Sequence, residues 1–202
     1  MSLLATSPSA TPQPPLRGWL GDAERVDHAV YAAITRTDTP NLDPAMVRLT
    51  QAADRSRLWL AIAAVLASTR GARGRRAALT GLASVALTSA VANLLIKPLS
   101  RRRRPVRSEV DPGRQAPMPL SSAFPSGHSA SAFAFAGGVG SVLPFDAIPI
   151  RALAAVVAYS RVHTGVHYPA DAVAGALLGS TLAQVTARTL ESWSAGAARE
   201  VP

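Results

Sequence analysis

The sequence has 202 residues and no cysteine, which excludes disulfides, thiolate metal sites and cysteine nucleophiles. Apolar residues make up 48% against 16% charged, with only 5% aromatic, so the hydrophobic content is chiefly Ala, Leu and Val; with a mean hydropathy of +0.17, this favours closely packed helices in a bilayer over a sheet protein. Lys and Arg number 21 against 12 Asp and Glu, a net charge of +9, which calls for a polyanionic partner: nucleic acid, an anionic membrane surface or a phosphorylated substrate.

Residues 1–16 are rich in Ser, Thr and Pro, have no basic segment ahead of an apolar run as a signal peptide would, and read as a disordered tail. Residues 17–55 read as amphipathic N-terminal helices. There Trp19, Leu20, Val26, Val30 and Ile34 recur near the helical period with Asp22, Glu24, Arg25 and Asp27 between them, predicting a helix over 18–36 that lies on the membrane or on a bundle. Asp43 and Pro44 read as the N-cap and first-turn pair of a second helix running to about Asp54.

Residues 56–193 read as the bundle itself. Leu58–Thr69 is short for a membrane crossing, which needs roughly 20 residues; it would extend from Arg57 to Ala72 with its arginines snorkelling. Ala77–Ile96 is 20 residues without a charge, about 30 Å of helix, and Lys97-Pro98 ends it. A polar, Arg-rich loop over Pro98–Ser122 follows, then apolar segments at Ser129–Phe145, Ile150–Ser160 and Pro169–Leu190. Gly175 and Gly179 are spaced as an intramolecular packing face on the last of these. Residues 194–202 read as a C-terminal tail. The expected fold is all-α: an integral membrane helical bundle of about five spans with an N-terminal amphipathic helix.

Three polar clusters stand at the ends of the apolar segments: Lys97 with Arg104-Pro105, Pro125-Ser126-Gly127-His128, and Ser160-Arg161 followed by His167 and Asp171. Cleaving a phosphomonoester takes cations around the equatorial oxygens, an in-line nucleophile and an acid for the leaving oxygen. Lys97, Arg104 and Arg161 are candidate phosphate ligands, Arg through its planar fork. Ser126 and Gly127 precede an apolar helix, whose N-terminal N–H groups suit a phosphate. His167 with Asp171 four residues on reads as an oriented nucleophile, and His128 as general acid and then base. If Ala77–Ile96 crosses once and the later segments alternate, all three clusters meet at one membrane face.

In these clusters, in their order and in their internal spacings, the sequence resembles the type-2 phosphatidic acid phosphatase family, whose motifs are shared with bacterial class A acid phosphatases and vanadium haloperoxidases. The resemblance covers Lys97–Asp171 by motif and says little about residues 1–76. It implies a phosphohistidine intermediate at His167, no metal and no cofactor. The expected substrate is a lipid phosphate, such as phosphatidate, phosphatidylglycerol phosphate or a polyprenyl phosphate or diphosphate; nucleic acid is not an expected partner. The expected location is the cell membrane, multi-pass.

Other readings of the same residues stand beside this one. Arg101, Arg102, Arg103 and Arg107 read as a solvated basic patch, His28 and His163 as structural or surface residues, and Ser160 as a cap or packing group. Arg70, Arg73, Arg75 and Arg76 read as a cytoplasmic basic loop, which puts the site on the extracytoplasmic face. Two alternative functions use the same sequence: a soluble acid phosphatase or haloperoxidase with the same pocket, and a non-enzymatic membrane protein whose Arg-rich loop binds anionic lipid.

Overall fold

The computed structural model describes residues 15–108 and 110–197. The tail expected over 1–16 lies outside them except for its last two positions, which already belong to a helix. Among the described residues the fold is helical: α1 (Pro15–Arg36), α2 (Asp43–Ala52), α3 (Arg57–Thr69), α4 (Gly71–Leu99), α5 (Gly127–Gly140), α6 (Ala147–His163) and α7 (Pro169–Ala197). Helices α3 to α7 form the bundle; α1 and α2 pack on the end where α4 finishes and α7 begins.

The amphipathic helix is present, and the face it buries mixes polar and apolar residues. Asp27, Tyr31 and Thr35, one turn apart, are buried, while Trp19, Leu20 and Val26 remain more than 60% exposed. The helix is held to the bundle by Asp27, which pairs with Arg102, and by Tyr31 and Ile34, which pack with Val162, Ala172 and Tyr168, while the rest of its apolar stripe faces outward. Asp43 is not an N-cap either: it is the first residue of α2, and its carboxylate accepts a hydrogen bond from Thr39 Oγ1 at 2.7 Å, pairs with Arg114 at 3.0 Å and meets His163 Nε2 at 2.8 Å. Arg114 is 2% exposed and also donates to the carbonyls of Thr35 and Thr37. Burying that guanidinium requires a paired anion, and Asp43 supplies it.

The chain does not run straight from α2 into α3. Arg55 and Ser56 both have positive φ, 52° and 60°, which breaks the helix between Asp54 and Arg57. The supposed basic loop near Arg70 is mostly helix, since α4 begins at Gly71 and carries Arg73, Arg75 and Arg76 in its first turns. α4 then passes through a π-helical stretch, Val91–Ile96, before Lys97. α5 ends at Gly140, five residues short of the apolar segment's expected end at Phe145, and α7 continues to Ala197, past the expected start of the tail at 194.

The core is built from small residues. Ala132, Ala134, Ala136 and Val139 of α5 are fully buried, with Trp59 of α3 against Phe135 at 5.5 Å between ring centroids. α7 lies directly on α5 because of two glycines. A Cβ on Gly175 would stand 2.4 Å from the Ser126 carbonyl oxygen, and one on Gly179 would stand 2.1 Å from that of Ala130. This contact fixes the start of α5, which carries His128, against the start of α7, which carries Asp171. One helix among the described residues, Gly71–Leu99, is long and apolar enough by itself to cross a membrane, with a mean hydropathy of 1.8 over its best window.

Candidate active site

All eight residues singled out from the sequence come to one end of the bundle. Lys97 ends α4, Arg104 lies in the loop beyond it, Ser126, Gly127 and His128 open α5, Arg161 is in the last turn of α6, and His167 and Asp171 flank the start of α7. Helix parity produces this gathering: each of these helices either ends or begins at the same face.

His167 is the most constrained of them. Its Nε2 is 3.2 Å from Arg104 Nη1. A guanidinium only donates, so Nε2 is the acceptor and carries a lone pair, and the ring proton sits on Nδ1. That nitrogen faces Asp171 Oδ2 at 3.5 Å, a loose contact in which the carboxylate orients the ring. Burial pushes the His167 imidazole down to about 4, with Asp171 opposing and the charges of Arg104 and Arg161 reinforcing the shift. The ring is therefore neutral at neutral pH, with its lone pair turned toward the cations.

Asp171 is fully buried and held from three sides. Its Oδ2 accepts from the Tyr168 N–H at 3.0 Å, its Oδ1 pairs with Arg102 Nη1 at 3.0 Å, and its own carbonyl accepts from the Ser126 N–H at 3.0 Å. Arg102 thus does not belong to a solvated patch. It also pairs with Asp27 of α1 and lies over the Tyr168 ring at 5.1 Å. Arg107 is likewise half-buried and donates to the Ala116 carbonyl at 2.6 Å, so only Arg101 and Arg103 of that group are exposed.

The cations keep donors in reserve. Arg104 holds the carbonyls of Ser121 and Val166, each at 3.0 Å, which locks its position in the loop. Arg161 is 2% exposed, bonds to Thr50 Oγ1 of α2, and has a buried Nε without a partner. Lys97 Nζ lies 3.5 Å from Ser121 Oγ and the same distance from where a Cβ on Gly127 would stand. Three clustered cations, Arg161 buried and Lys97 and Arg104 half-buried, suit an anion.

Ser126 has a different place from the one its motif suggests. It is fully buried, its hydroxyl caps α5 through Ser129 (3.1 Å to Oγ), and its N–H is taken by Asp171. Gly127 and His128, the first two residues of α5, are the ones whose N–H groups have no intrahelical acceptor and are left for a ligand.

One site residue escaped the sequence. His128 Nε2 meets Asp54 Oδ1 at 2.8 Å, and the strained Arg55–Ser56 turn is what lets Asp54 face it. The site thus holds two histidine–carboxylate pairs, not one. Asp54 carries no motif, and the 74-residue separation gives no local signal; Thr50 and Asp27 were hidden for the same reason. His163 ends α6 and is 1% exposed against Asp43, a structural position as expected, and His28 stacks on Tyr168 at 4.6 Å. Among the described residues no three His, Asp or Glu side chains converge as metal ligands.

Residues 77–194 match the PAP2 superfamily. The chain belongs to the PAP2 superfamily. Among its relatives is the decaprenylphosphoryl-5-phosphoribose phosphatase of Mycobacterium tuberculosis, 37% identical over 131 residues, covering 63% of this chain and 68% of the relative. The protein of the same name from Mycolicibacterium smegmatis is 33% identical over 162 residues, 77% of this chain and 84% of the relative. In fold the chain is similar to the transmembrane PAP2 type phosphatidylglycerolphosphate phosphatase of Bacillus subtilis, with a TM-score of 0.66 and 24% identity over 85% of this chain and 87% of the other. This PAP2 protein is a phosphoric monoester hydrolase. Asp54 and Asp27 precede the matched residues, so they lie outside what the family pattern describes.

Proposed function

We propose that this PAP2 protein is a multi-pass membrane phosphatase that removes a terminal phosphate from a membrane lipid through a phosphohistidine on His167. The observation that carries the reading is the cation cluster of Lys97, Arg104 and buried Arg161 set between two carboxylate-oriented histidines. Phosphate oxygens take the place of Nε2 as partner of Arg104, and fill the free donors of Arg161, Gly127 and His128. His167 Nε2 attacks phosphorus, forming the N–P bond as the bond to the leaving oxygen breaks. His128 gives that oxygen its proton. Water then enters, loses a proton to His128, attacks phosphorus and frees His167.

Three observations support the lipid and the membrane. The relatives are named for a decaprenylphosphoryl substrate. Leu60, Leu79, Leu94 and Leu177 on the bundle's outer surface are each at least half exposed, which suits a hydrocarbon surround. The outward apolar stripe of α1 suits the interface above it. The site faces the extracytoplasmic side in this reading. Arg70, Arg73, Arg75, Arg76 and Arg151 stand at the opposite end, where Arg70 also pairs with Asp146 at 2.6 Å, and basic residues collect on the cytoplasmic side. Near the site Arg102, Arg104 and Arg114 are engaged inside the fold.

The test is phosphate release from lipid phosphates by detergent-purified protein taken from carbonate-washed membranes. His167→Ala and His128→Ala are each expected to lose at least about a hundredfold. Full activity in both variants, or protein released by the carbonate wash, would defeat the reading.

A further inference from the structure

Beside the phosphate site lies a cavity of about 180 Å³ of which the three motifs line only one side. One wall is Lys97, Gly127 and His128; the other is formed by the Arg55–Ser56 turn and by Ser89, Asn93 and Ser131 of α4 and α5. His167, Arg104 and Arg161 do not line it. In-line displacement places the leaving oxygen on the side of phosphorus opposite the attacking nitrogen. A space that touches His128 and not His167 is therefore where the leaving group would stand.

Its chemistry is specific. Ser56, Ser89, Ser131 and Asn93 offer neutral hydroxyl and amide groups at a level where the neighbouring outward-facing residues, Leu94 and Leu95, are apolar. Ser89 and Ser131 hydroxyls are 3.5 Å apart, and Asn93 Nδ2 donates to the Ser89 carbonyl at 2.9 Å, which leaves its amide oxygen to accept from a ligand. Asn93 reaches this position in the π-helical stretch of α4, an irregularity that recurs at functional sites. At the rim, Arg55 is exposed, held at φ 52°, and makes no hydrogen bond or ion pair among the described residues. Two successive non-glycine residues with positive φ are strained, and such strain collects at ligand sites.

We infer that this cavity is the leaving-group subsite, and that the leaving group is a hydroxylated spacer, glycerol-like or sugar-like, joined to its lipid through a second, anionic phosphodiester. The hydroxyls of the spacer pair with Ser89, Asn93 and Ser131, and the phosphodiester meets Arg55. A diacylglycerol or a bare prenyl alcohol would leave these polar groups facing hydrocarbon, and a site built for hydrogen bonds rejects an analogue that lacks them. The inference rests on the phosphatase reading above.

The experiment compares phosphatidylglycerol phosphate with phosphatidate in detergent micelles, using the full chain and its Arg55→Gln and Asn93→Ala variants, with p-nitrophenyl phosphate as a substrate that has no polyol. The wild type is expected to favour phosphatidylglycerol phosphate by about tenfold or more in kcat/KM. Each variant should lose most of that preference and keep its rate on phosphatidate and on p-nitrophenyl phosphate. Equal rates on the two lipids in the wild type, or equal losses on both in the variants, would overturn the subsite while leaving the phosphatase intact. Phosphate release from no substrate would overturn the phosphatase reading, and the subsite with it.

Discussion

At the scale of the residue, the state of His167 decides the chemistry. Arg104 donates to its Nε2 and Asp171 faces its Nδ1, so the ring has one tautomer and a lone pair aimed at the phosphate site. Its pKa falls to about 4 from the model-compound value of 6.5 chiefly because the ring is buried, with Arg104 and Arg161 adding to the effect. The ring is neutral above about 4 and takes a proton only as pH drops through that value. An NMR titration of the free protein, with the His167 signal assigned by its loss in His167→Ala, should show a midpoint near 4. A midpoint near 6.5 would mean that the ring is exposed and the burial argument fails.

At the scale of the element, the contact between α5 and α7 positions both histidine–carboxylate pairs. Gly179→Ala puts a methyl group 2.1 Å from the Ala130 carbonyl oxygen and 2.8 Å from the Ala134 nitrogen, backbone atoms that cannot step aside. Overpacking of this kind costs about 1–3 kcal/mol, on the order of a 5 °C fall in the unfolding midpoint for a chain of this size. Gly18→Ala, with nothing within 4 Å of its new methyl group, serves as the control for the helix preference of Ala and should leave the midpoint unchanged or slightly raised. Thermal scanning in detergent measures both, and equal midpoints would contradict the packing described.

Much of this was legible beforehand, for identifiable reasons. Gly175 and Gly179 announced a close packing face through their spacing, Lys97, Arg161 and His167 stand where a long apolar segment ends or begins, and Arg104 is marked by its spacing from Lys97 and by Pro105. Asp43, Asp54 and Arg114 did not: their partners lie 71 to 120 residues away, and pairing over such distances leaves no local pattern. The π-helical stretch at Val91–Ile96 and the reversal at Arg55–Ser56 were hidden as well, since neither has Gly or Pro to mark it. For α1, periodicity locates the apolar stripe without saying whether protein or lipid covers it.

At the scale of the whole molecule, the alternation of α4 to α7 brings the motifs to one end and gathers Arg73, Arg75, Arg76 and Arg151 at the other. The chain contains no cysteine, so single introduced thiols report sidedness cleanly. Ser108→Cys, in the exposed loop near the site, should react with an impermeant maleimide in intact cells. Ser68→Cys, at the opposite end of α3, should react only after the membrane is opened. The reverse pattern would place the site in the cytoplasm.

A phosphohistidine on His167 can be trapped as a covalent intermediate. Protein mixed with a ³²P-labelled lipid phosphate and quenched in alkali should carry an acid-labile, alkali-stable label on the peptide that contains His167. The label should be absent from His167→Ala. A label that persists in His167→Ala, or rapid turnover with no labelled protein at any quench time, would contradict a phosphohistidine at this position.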